Sequence, residues 1–96
     1  MPGIVVSERA FADLERISQF LRDQRPGAAS EALETIFDAL AVLERHPAIG
    51  RPVVGVFREL VISFGETGFV ALYRIRPQGR RVEILAVRRQ REAGYS

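Results

Sequence analysis

The sequence contains no cysteine and no lysine, and His46 is its single histidine. Without cysteine there is no disulfide, thiolate metal site or cysteine nucleophile, and one histidine cannot build a zinc site by itself. Long apolar runs are also missing, because the longest, residues 39–43, is far below the roughly 18 residues that cross a bilayer. Met1-Pro2-Gly3 lacks the charged and apolar regions of a signal peptide. We therefore predict a soluble cytoplasmic protein that uses no metal, cofactor or membrane.

Size and charge narrow the possibilities further. A chain of 96 residues predicts one domain, residues 1–96, that buries roughly 60 to 65% of its unfolded surface. All 14 basic residues are arginine, and they are unevenly placed: residues 1–46 carry five against eight acids, whereas residues 47–96 carry nine against four acids. The second half therefore offers a basic surface to an acidic partner, with side chains suited to bidentate contact with phosphate or carboxylate.

The first half has the periodicity of helices. Ile4-Val5-Val6 is a β-branched run too short to stand alone, which predicts an added strand of a later sheet. Ser7 is a candidate N-cap, and we predict a helix over Glu8 to Gln24. Its expected apolar face consists of Ala10, Phe11, Leu14, Ile17, Phe20 and Leu21.

A second helix is predicted after Arg25-Pro26-Gly27, because proline is unfavourable inside a helix and favourable in its first turn. The helix ends at His46, since Pro47 prevents continuation. Its expected apolar stripe consists of Ala29, Leu33, Ile36, Phe37, Leu40 and Leu43. Two helices joined by so few residues form an antiparallel hairpin.

The second half has the pattern of strands. Prolines and glycines predict a loop over Pro47 to Gly55. We predict three strands after it, joined by hairpin loops at residues 65–68 and 77–80: Val56 to Phe64, Phe69 to Arg76 and Arg81 to Val87. The predicted fold is therefore α+β, a helical hairpin with a three-stranded antiparallel meander that the N-terminal strand joins. In the first strand, one predicted face holds Arg58, Leu60, Ile62 and Phe64, and the other holds Glu59, Val61 and Ser63.

Five segments in this order resemble the RelE/ParE superfamily of toxins, and in particular its ParE-like, plasmid-stabilisation branch. They are Gly50-Arg51-Pro52, Arg58-Glu59-Leu60-Val61-Ile62, Leu72-Tyr73-Arg74-Ile75, residues 82–87 and residues 89–95. The resemblance implies a growth-arresting bacterial toxin of a type II toxin-antitoxin module. It also implies a cognate antitoxin, encoded beside the toxin, that forms a hetero-oligomer with it and occupies the groove beside the helical hairpin.

The superfamily has two main activities. RelE-like members cut mRNA on the ribosome, which needs an acid, a base and cations, and they carry lysines, or a glutamate and a histidine, with an arginine entering the middle strand of the meander. Here lysine is absent, His46 lies at a helix end, and Gly68-Phe69 stand in the place of that arginine. ParE-like members inhibit DNA gyrase without chemistry of their own. We therefore favour gyrase inhibition; the alternatives are ribosome-dependent mRNA cleavage and a non-toxic binding protein.

Arginines of the second half are the best candidates for contact with a target. The expected target-binding residues are Arg51, Arg88, Arg89, Arg91 and Tyr95, with the last three arginines in one basic run towards the C-terminus. Tyr95 is also expected to anchor the C-terminal tail on the sheet. If the protein is a ribonuclease, the catalytic candidates are Arg51, Arg58, Arg88 and Tyr95.

Three polar residues have structural interpretations of their own. Arg58 is expected to form an ion pair with an acid of the second helix, Glu34 or Asp38. Glu59 is expected to be the cross-strand partner of an arginine. His46 is expected to be a helix-terminal or surface residue.

Overall fold

The structure, a computed structural model, describes residues 3–77 and 81–91. In chain order the elements are β1 (Ile4–Val6), α1 (Glu8–Gln24), α2 (Ala28–Arg45), β2 (Arg51–Pro52), β3 (Phe57–Phe64), β4 (Thr67–Arg76) and β5 (Arg81–Arg89). The predicted α+β architecture is confirmed, with two helices and one five-stranded sheet. No helix in the described ranges is long and apolar enough to cross a membrane.

Both helices begin and end where local sequence directs them. The Ser7 hydroxyl accepts the N–H of Ala10 at 3.0 Å, which confirms the predicted N-cap of α1. Helix α2 ends at Arg45, and the N–H of the capping residue His46 is donated to the carbonyl of Val42 at 2.9 Å. His46 is thus the helix-terminal residue that the sequence predicts.

The sheet has the order β1-β5-β4-β3-β2. Strand β1 is parallel to β5, and every other neighbour is antiparallel. One prediction was wrong, because the expected loop of residues 47–55 contains the short strand β2, whose Arg51 lies opposite Glu59 of β3. A two-residue strand that includes a proline has no periodicity by which sequence could reveal it.

The strand ends also differ from their predicted positions. The hairpin between β3 and β4 turns over Gly65-Glu66 alone, so Thr67 and Gly68 belong to β4. Strand β5 continues past Val87 through Arg88 to Arg89, because both residues pair with β4. This extension changes the directions of the C-terminal arginines.

The helices pack on one face of the sheet and form one core with it. Fully buried members from the helices are Ala10, Ala32, Ile36, Leu40 and Leu43, and those from the strands are Ala71, Tyr73 and Ile84. Each buried aliphatic side chain of Leu or Ile size contributes about 1.5–3 kcal/mol relative to an exposed one. The predicted Leu60-Ile62-Phe64 face of β3 is turned to this core, whereas Val61 is 47% exposed.

Three aromatic residues do not occupy the buried faces predicted for them. Phe11 and Phe20 of α1 are 60% and 38% exposed, and Phe37 of α2 is 40% exposed. The buried stripe of α1 instead includes the polar residues Asp13 and Ser18. Helical spacing alone misassigned these positions because it identifies an apolar stripe but not the rotation of the helix on the sheet.

Asp13 is buried because it supplies a hydrogen bond that the sheet lacks. Strand β1 ends at Val6, so beyond that point β5 has a neighbouring strand on its β4 side and none on its other edge in the described structure. The Asp13 carboxylate accepts the N–H of Val87 at 2.9 Å through Oδ2, while Oδ1 accepts from Arg9 at 3.2 Å and Arg16 at 3.4 Å. A buried backbone donor thereby obtains a charge-assisted partner, which ties α1 to β5.

Candidate functional site

The Gly50-Arg51-Pro52 segment is held from beneath by Tyr73 of β4. The buried phenol accepts the N–H of Gly50 at 2.8 Å and donates to the carbonyl of Pro47 at 2.7 Å. A Cβ on residue 50 would lie 2.6 Å from Tyr73 Cε1 and 2.7 Å from the carbonyl oxygen of Glu59, so only glycine fits. Burial raises the pKa of Tyr73 above its ordinary value of 10.0, against the smaller opposing effects of the Gly50 N–H and Arg58.

Arg58 completes the support of this segment. Its Nη1 donates to the carbonyls of Ala48 at 3.1 Å and Gly50 at 2.8 Å. The predicted ion pair with Glu34 or Asp38 was wrong, because the guanidinium binds backbone carbonyls among the described residues. Two carbonyls converge on one guanidinium here, a pairing that only the folded loop could reveal. The guanidinium of Arg58 therefore stabilises the loop before β3.

Arg51 is positioned by Glu59 across the β2–β3 pair. Its Nε and Nη2 approach Glu59 Oε1 at 3.1 and 2.7 Å. The side chain of Glu59 is 9% exposed and that of Arg51 is 63% exposed. The predicted role of Glu59 as a cross-strand partner of an arginine is confirmed. Most of the Arg51 side chain nevertheless remains accessible to a partner.

Arg51 and Glu59 belong to the sheet face that points away from the helices, here called the outer face. Alternation along the strands and the pairing registers place its members together. From the β2 side, the residues of β2 to β5 that carry side chains on this face are Arg51, Phe57, Glu59, Val61, Ser63, Val70, Leu72, Arg74, Arg76, Arg81, Glu83, Ala86 and Arg88. Five arginines stand against two glutamates, so this described surface carries a net charge of +3.

The C-terminal arginines do not form the single run that the sequence predicts. Arg88 pairs with Val70 on the outer face, and its Nη1 lies 3.3 Å from the Arg89 carbonyl. Arg89 points to the helix side, where its guanidinium carbon is 3.9 Å from the ring centroid of Phe20. Arg91 is exposed beyond the strand. The structure brings Arg88 together with Arg51 on one face and separates Arg89 from them; Tyr95 lies outside the described residues.

Gly68 occupies a closed position at the end of the outer face. A Cβ there would collide with the carbonyl oxygen of Ile62 and would lie 2.7 Å from the side-chain oxygen of Gln90. Gln90 also donates its backbone N–H to the Gly68 carbonyl at 2.9 Å. Because the colliding atom of Ile62 is backbone, a larger residue at position 68 would require the β3–β4 pair to move.

A groove lies along the helical hairpin, where α1 and α2 meet at the surface. It has a volume of about 610 Å³. Its apolar wall comes from Phe11, Leu14, Leu33 and Phe37, and its polar rim comes from Glu15, Arg16, Ser18, Gln19 and Arg22. Phe11 and Phe37, two of the three exposed phenylalanines that the helical pattern assigned to the core, therefore line this groove.

Comparison with known proteins identifies the family. Over residues 4–94 the chain matches the family model described as the ParE toxin of the type II toxin-antitoxin system parDE. The chain belongs to this toxin family. It is thus the toxin component of a type II toxin-antitoxin module, within the RelE/ParE superfamily that its sequence resembles.

Individual relatives of this ParE-family toxin carry names from both branches. Toxin RelE3 of Caulobacter vibrioides is 34% identical over 77 residues, 80% of this chain and 84% of the relative. Toxin RelE1 of the same organism is 35% identical over 72 residues, 75% and 77% of the two chains. A solved chain described as the chromosomal ParDE toxin-antitoxin system from P. aeruginosa aligns with a TM-score of 0.74 and 25% identity, covering 93% of this chain and 96% of that one.

Sequence reasoning missed three residues that shape the site of this toxin. In the sequence Asp13 is one of eight acids in residues 1–46, Tyr73 is part of a strand motif, and Gly68 stands in the place of an arginine. Each acts through a partner distant in sequence: Val87 for Asp13, Gly50 for Tyr73 and Gln90 for Gly68. In the described ranges no three His, Asp or Glu side chains lie together as a metal site.

Proposed function

We propose that this ParE-family toxin inhibits DNA gyrase and is neutralised by an antitoxin encoded beside it. The observation that carries the proposal is the closed position of Gly68, which stands where RelE-like members place an arginine. The nearby Ile62 carbonyl and Gln90 side chain fill the space that a cationic side chain would need. Binding of a protein target requires no such catalytic cation.

The target-binding residues in this proposal are Arg51, Arg88, Arg89, Arg91 and Tyr95. Arg51 and Arg88 share the outer face, so one partner surface can contact both. Arg91 and Arg89 line a cavity of about 270 Å³ at the end of β5 together with Phe20 and Phe69. Acidic groups of a target meet these arginines in charge-assisted hydrogen bonds.

The antitoxin in this proposal lies in the groove of the helical hairpin. The exposed rings of Phe11 and Phe37 provide apolar area that a free toxin leaves in water, and the arginines of the rim suit acidic residues of the antitoxin. An antitoxin segment that becomes ordered on binding explains how a small partner covers such an extended groove. Both partners meet in the cytoplasm, where gyrase acts.

The decisive experiment mixes purified toxin, gyrase, ATP and supercoiled plasmid. We expect linear plasmid that remains covalently bound to gyrase after detergent treatment, and we expect the antitoxin to prevent it. Arg88→Ala/Arg91→Ala should reduce the amount of linear DNA severalfold. Arg25→Ala/Arg45→Ala, which removes two exposed arginines from the helical layer, is the matched control. Unchanged plasmid topology at saturating toxin would rule out gyrase as the target.

A second candidate is ribosome-dependent mRNA cleavage, which the names of the Caulobacter relatives favour. In that case Arg51, Arg58, Arg88 and Tyr95 are the catalytic candidates. Inducing the toxin in cells without antitoxin separates the activities, because gyrase inhibition leaves mRNA intact and breaks DNA, whereas ribosomal cleavage gives cuts at codon-defined positions. A non-toxic binding protein gives neither effect and no growth arrest.

A further inference from the structure

A second cluster of arginines lies at the far end of the outer face, near the β4–β5 hairpin. It consists of Arg74 and Arg76 on β4 and Arg81 on β5, around the carboxylate of Glu83. Arg74 Nε lies 2.8 Å and Arg76 Nε 3.7 Å from Glu83 Oε1. In the described part of this cluster three arginines stand beside one acid, and the ion pairs of that acid are with Arg74 and Arg76. None of these three arginines belongs to the proposed contacts with the target or the antitoxin.

The pairing of the cluster is unfavourable for the isolated protein. Arg76 and Arg81 lie directly opposite each other on antiparallel strands. Like charges at such positions destabilise a sheet, and Glu83 is nearer to Arg74 than to Arg76. Both arginines are exposed, so neither position requires an arginine for packing. A bound anion between the two guanidinium groups would convert this repulsion into attraction.

The cluster continues a basic track along the outer face. The Val70–Arg88 pair and the Arg76–Arg81 pair are separated by six positions of β4, which is about 20 Å at 3.3 Å per residue. Arg51 lies on the same face, beside Glu59. Cations separated by such a distance can contact several phosphates of one DNA duplex, which carries a charge about every 1.7 Å of helix axis when both strands are counted.

We propose that the outer face binds the phosphate backbone of duplex DNA, with Arg76 and Arg81 as one anchor and Arg88 as the other. Duplex is favoured over single strands because single-strand sites stack bases on several aromatic side chains. In the described part of the outer face the aromatic residue is Phe57, which is half-buried at the beginning of β3. The inference goes beyond gyrase inhibition, since it concerns contact between the toxin and DNA in the absence of any enzyme.

The test is fluorescence anisotropy of the full-length toxin with a labelled 24-base-pair duplex at several salt concentrations. We expect saturable binding. The logarithm of the association constant should fall linearly with the logarithm of the salt concentration. Arg76→Gln/Arg81→Gln should reduce the magnitude of that slope by roughly 2, because each phosphate contact contributes about 0.9, and should weaken binding at 0.1 M salt at least about tenfold. Gln keeps a polar but uncharged side chain at both exposed positions, and circular dichroism verifies that the variant is folded.

The control Arg25→Gln/Arg45→Gln removes the same number of positive charges, but from the helical layer. Its affinity for the duplex should stay within about twofold of that of the original protein. Equal weakening by both double variants would overturn the assignment to the outer face. No saturable binding to the duplex would overturn the proposal entirely. Tighter binding of a single-stranded RNA of the same sequence would overturn the choice of DNA. Because gyrase is absent, failure here is distinguishable from failure of the gyrase assay.

Discussion

Tyr73→Phe isolates the contribution of one hydroxyl group to the support of the Arg51 segment. The substitution retains the aromatic ring, which is 0% exposed, and so retains nearly all of the core packing. It removes the acceptor of the Gly50 N–H and the donor to the Pro47 carbonyl. Any loss of stability therefore reports on these two hydrogen bonds.

The magnitude follows from the surroundings of the two backbone groups. Gly50 is buried, so its N–H loses its partner without access to water, at a cost of about 1–3 kcal/mol. The carbonyl of Pro47 is only half-buried and can regain a hydrogen bond to water, so its loss adds little. For a domain of this size a loss of about 2 kcal/mol lowers Tm by about 8–16 °C.

Thermal unfolding and amide hydrogen exchange together test this reasoning. We expect the lower Tm and faster exchange of the Gly50 amide, while the Ile62 amide in the middle of β3 keeps its protection relative to global unfolding. Ser63→Ala, which deletes an exposed hydroxyl from the same sheet, should change stability by less than about 0.5 kcal/mol. A Tm within about 2 °C of the original, with the Gly50 amide still protected, would refute the role given to the phenol.

Three further predictions concern the contact between α1 and β5, the titration of Tyr73 and the groove of the helical hairpin. Asp13→Ala should destabilise the protein by about 2–3 kcal/mol in urea titrations, because the N–H of Val87, a residue that is 1% exposed, loses its charged acceptor. Asp13→Asn should destabilise less, since the amide oxygen can still accept this hydrogen bond. Equal losses of stability would argue against the hydrogen bond as the cause. The folded-state pKa of Tyr73 is raised above 10.0, so the stability that the neutral phenol contributes is complete below pH 10 and is lost as pH rises through the folded-state pKa. Tyr73→Phe should therefore reduce the decrease in the free energy of unfolding at alkaline pH. Phe37→Asp should weaken antitoxin binding at least about tenfold in calorimetry, with little change in Tm. Val42→Asp, at an equally exposed position of α2 outside the groove, should leave the affinity unchanged. Similar losses of affinity in both variants would show that the antitoxin does not bind in the groove.

Much of the fold could be predicted because its signals are local. Ser7 and the apolar spacing that follows it located α1, and the change of periodicity near Phe57 located the sheet. The family resemblance and the α+β class were confirmed by the family match and the structural likeness. Local signals were insufficient for the helix rotation that exposes Phe11 and Phe37, and for the short strand β2.

The sequence by itself therefore determined the helix ends, the order of every element except β2, and the family, since the signals for these lie within short segments of the chain. Tertiary structure alone decided which arginines share a surface. Arg88 and Arg89 are adjacent in the chain, yet strand alternation sends one to the outer face and the other to Phe20. Side chains in a strand alternate with a period of two, so the register of pairing, set by contacts distant in sequence, assigns every charge to its face.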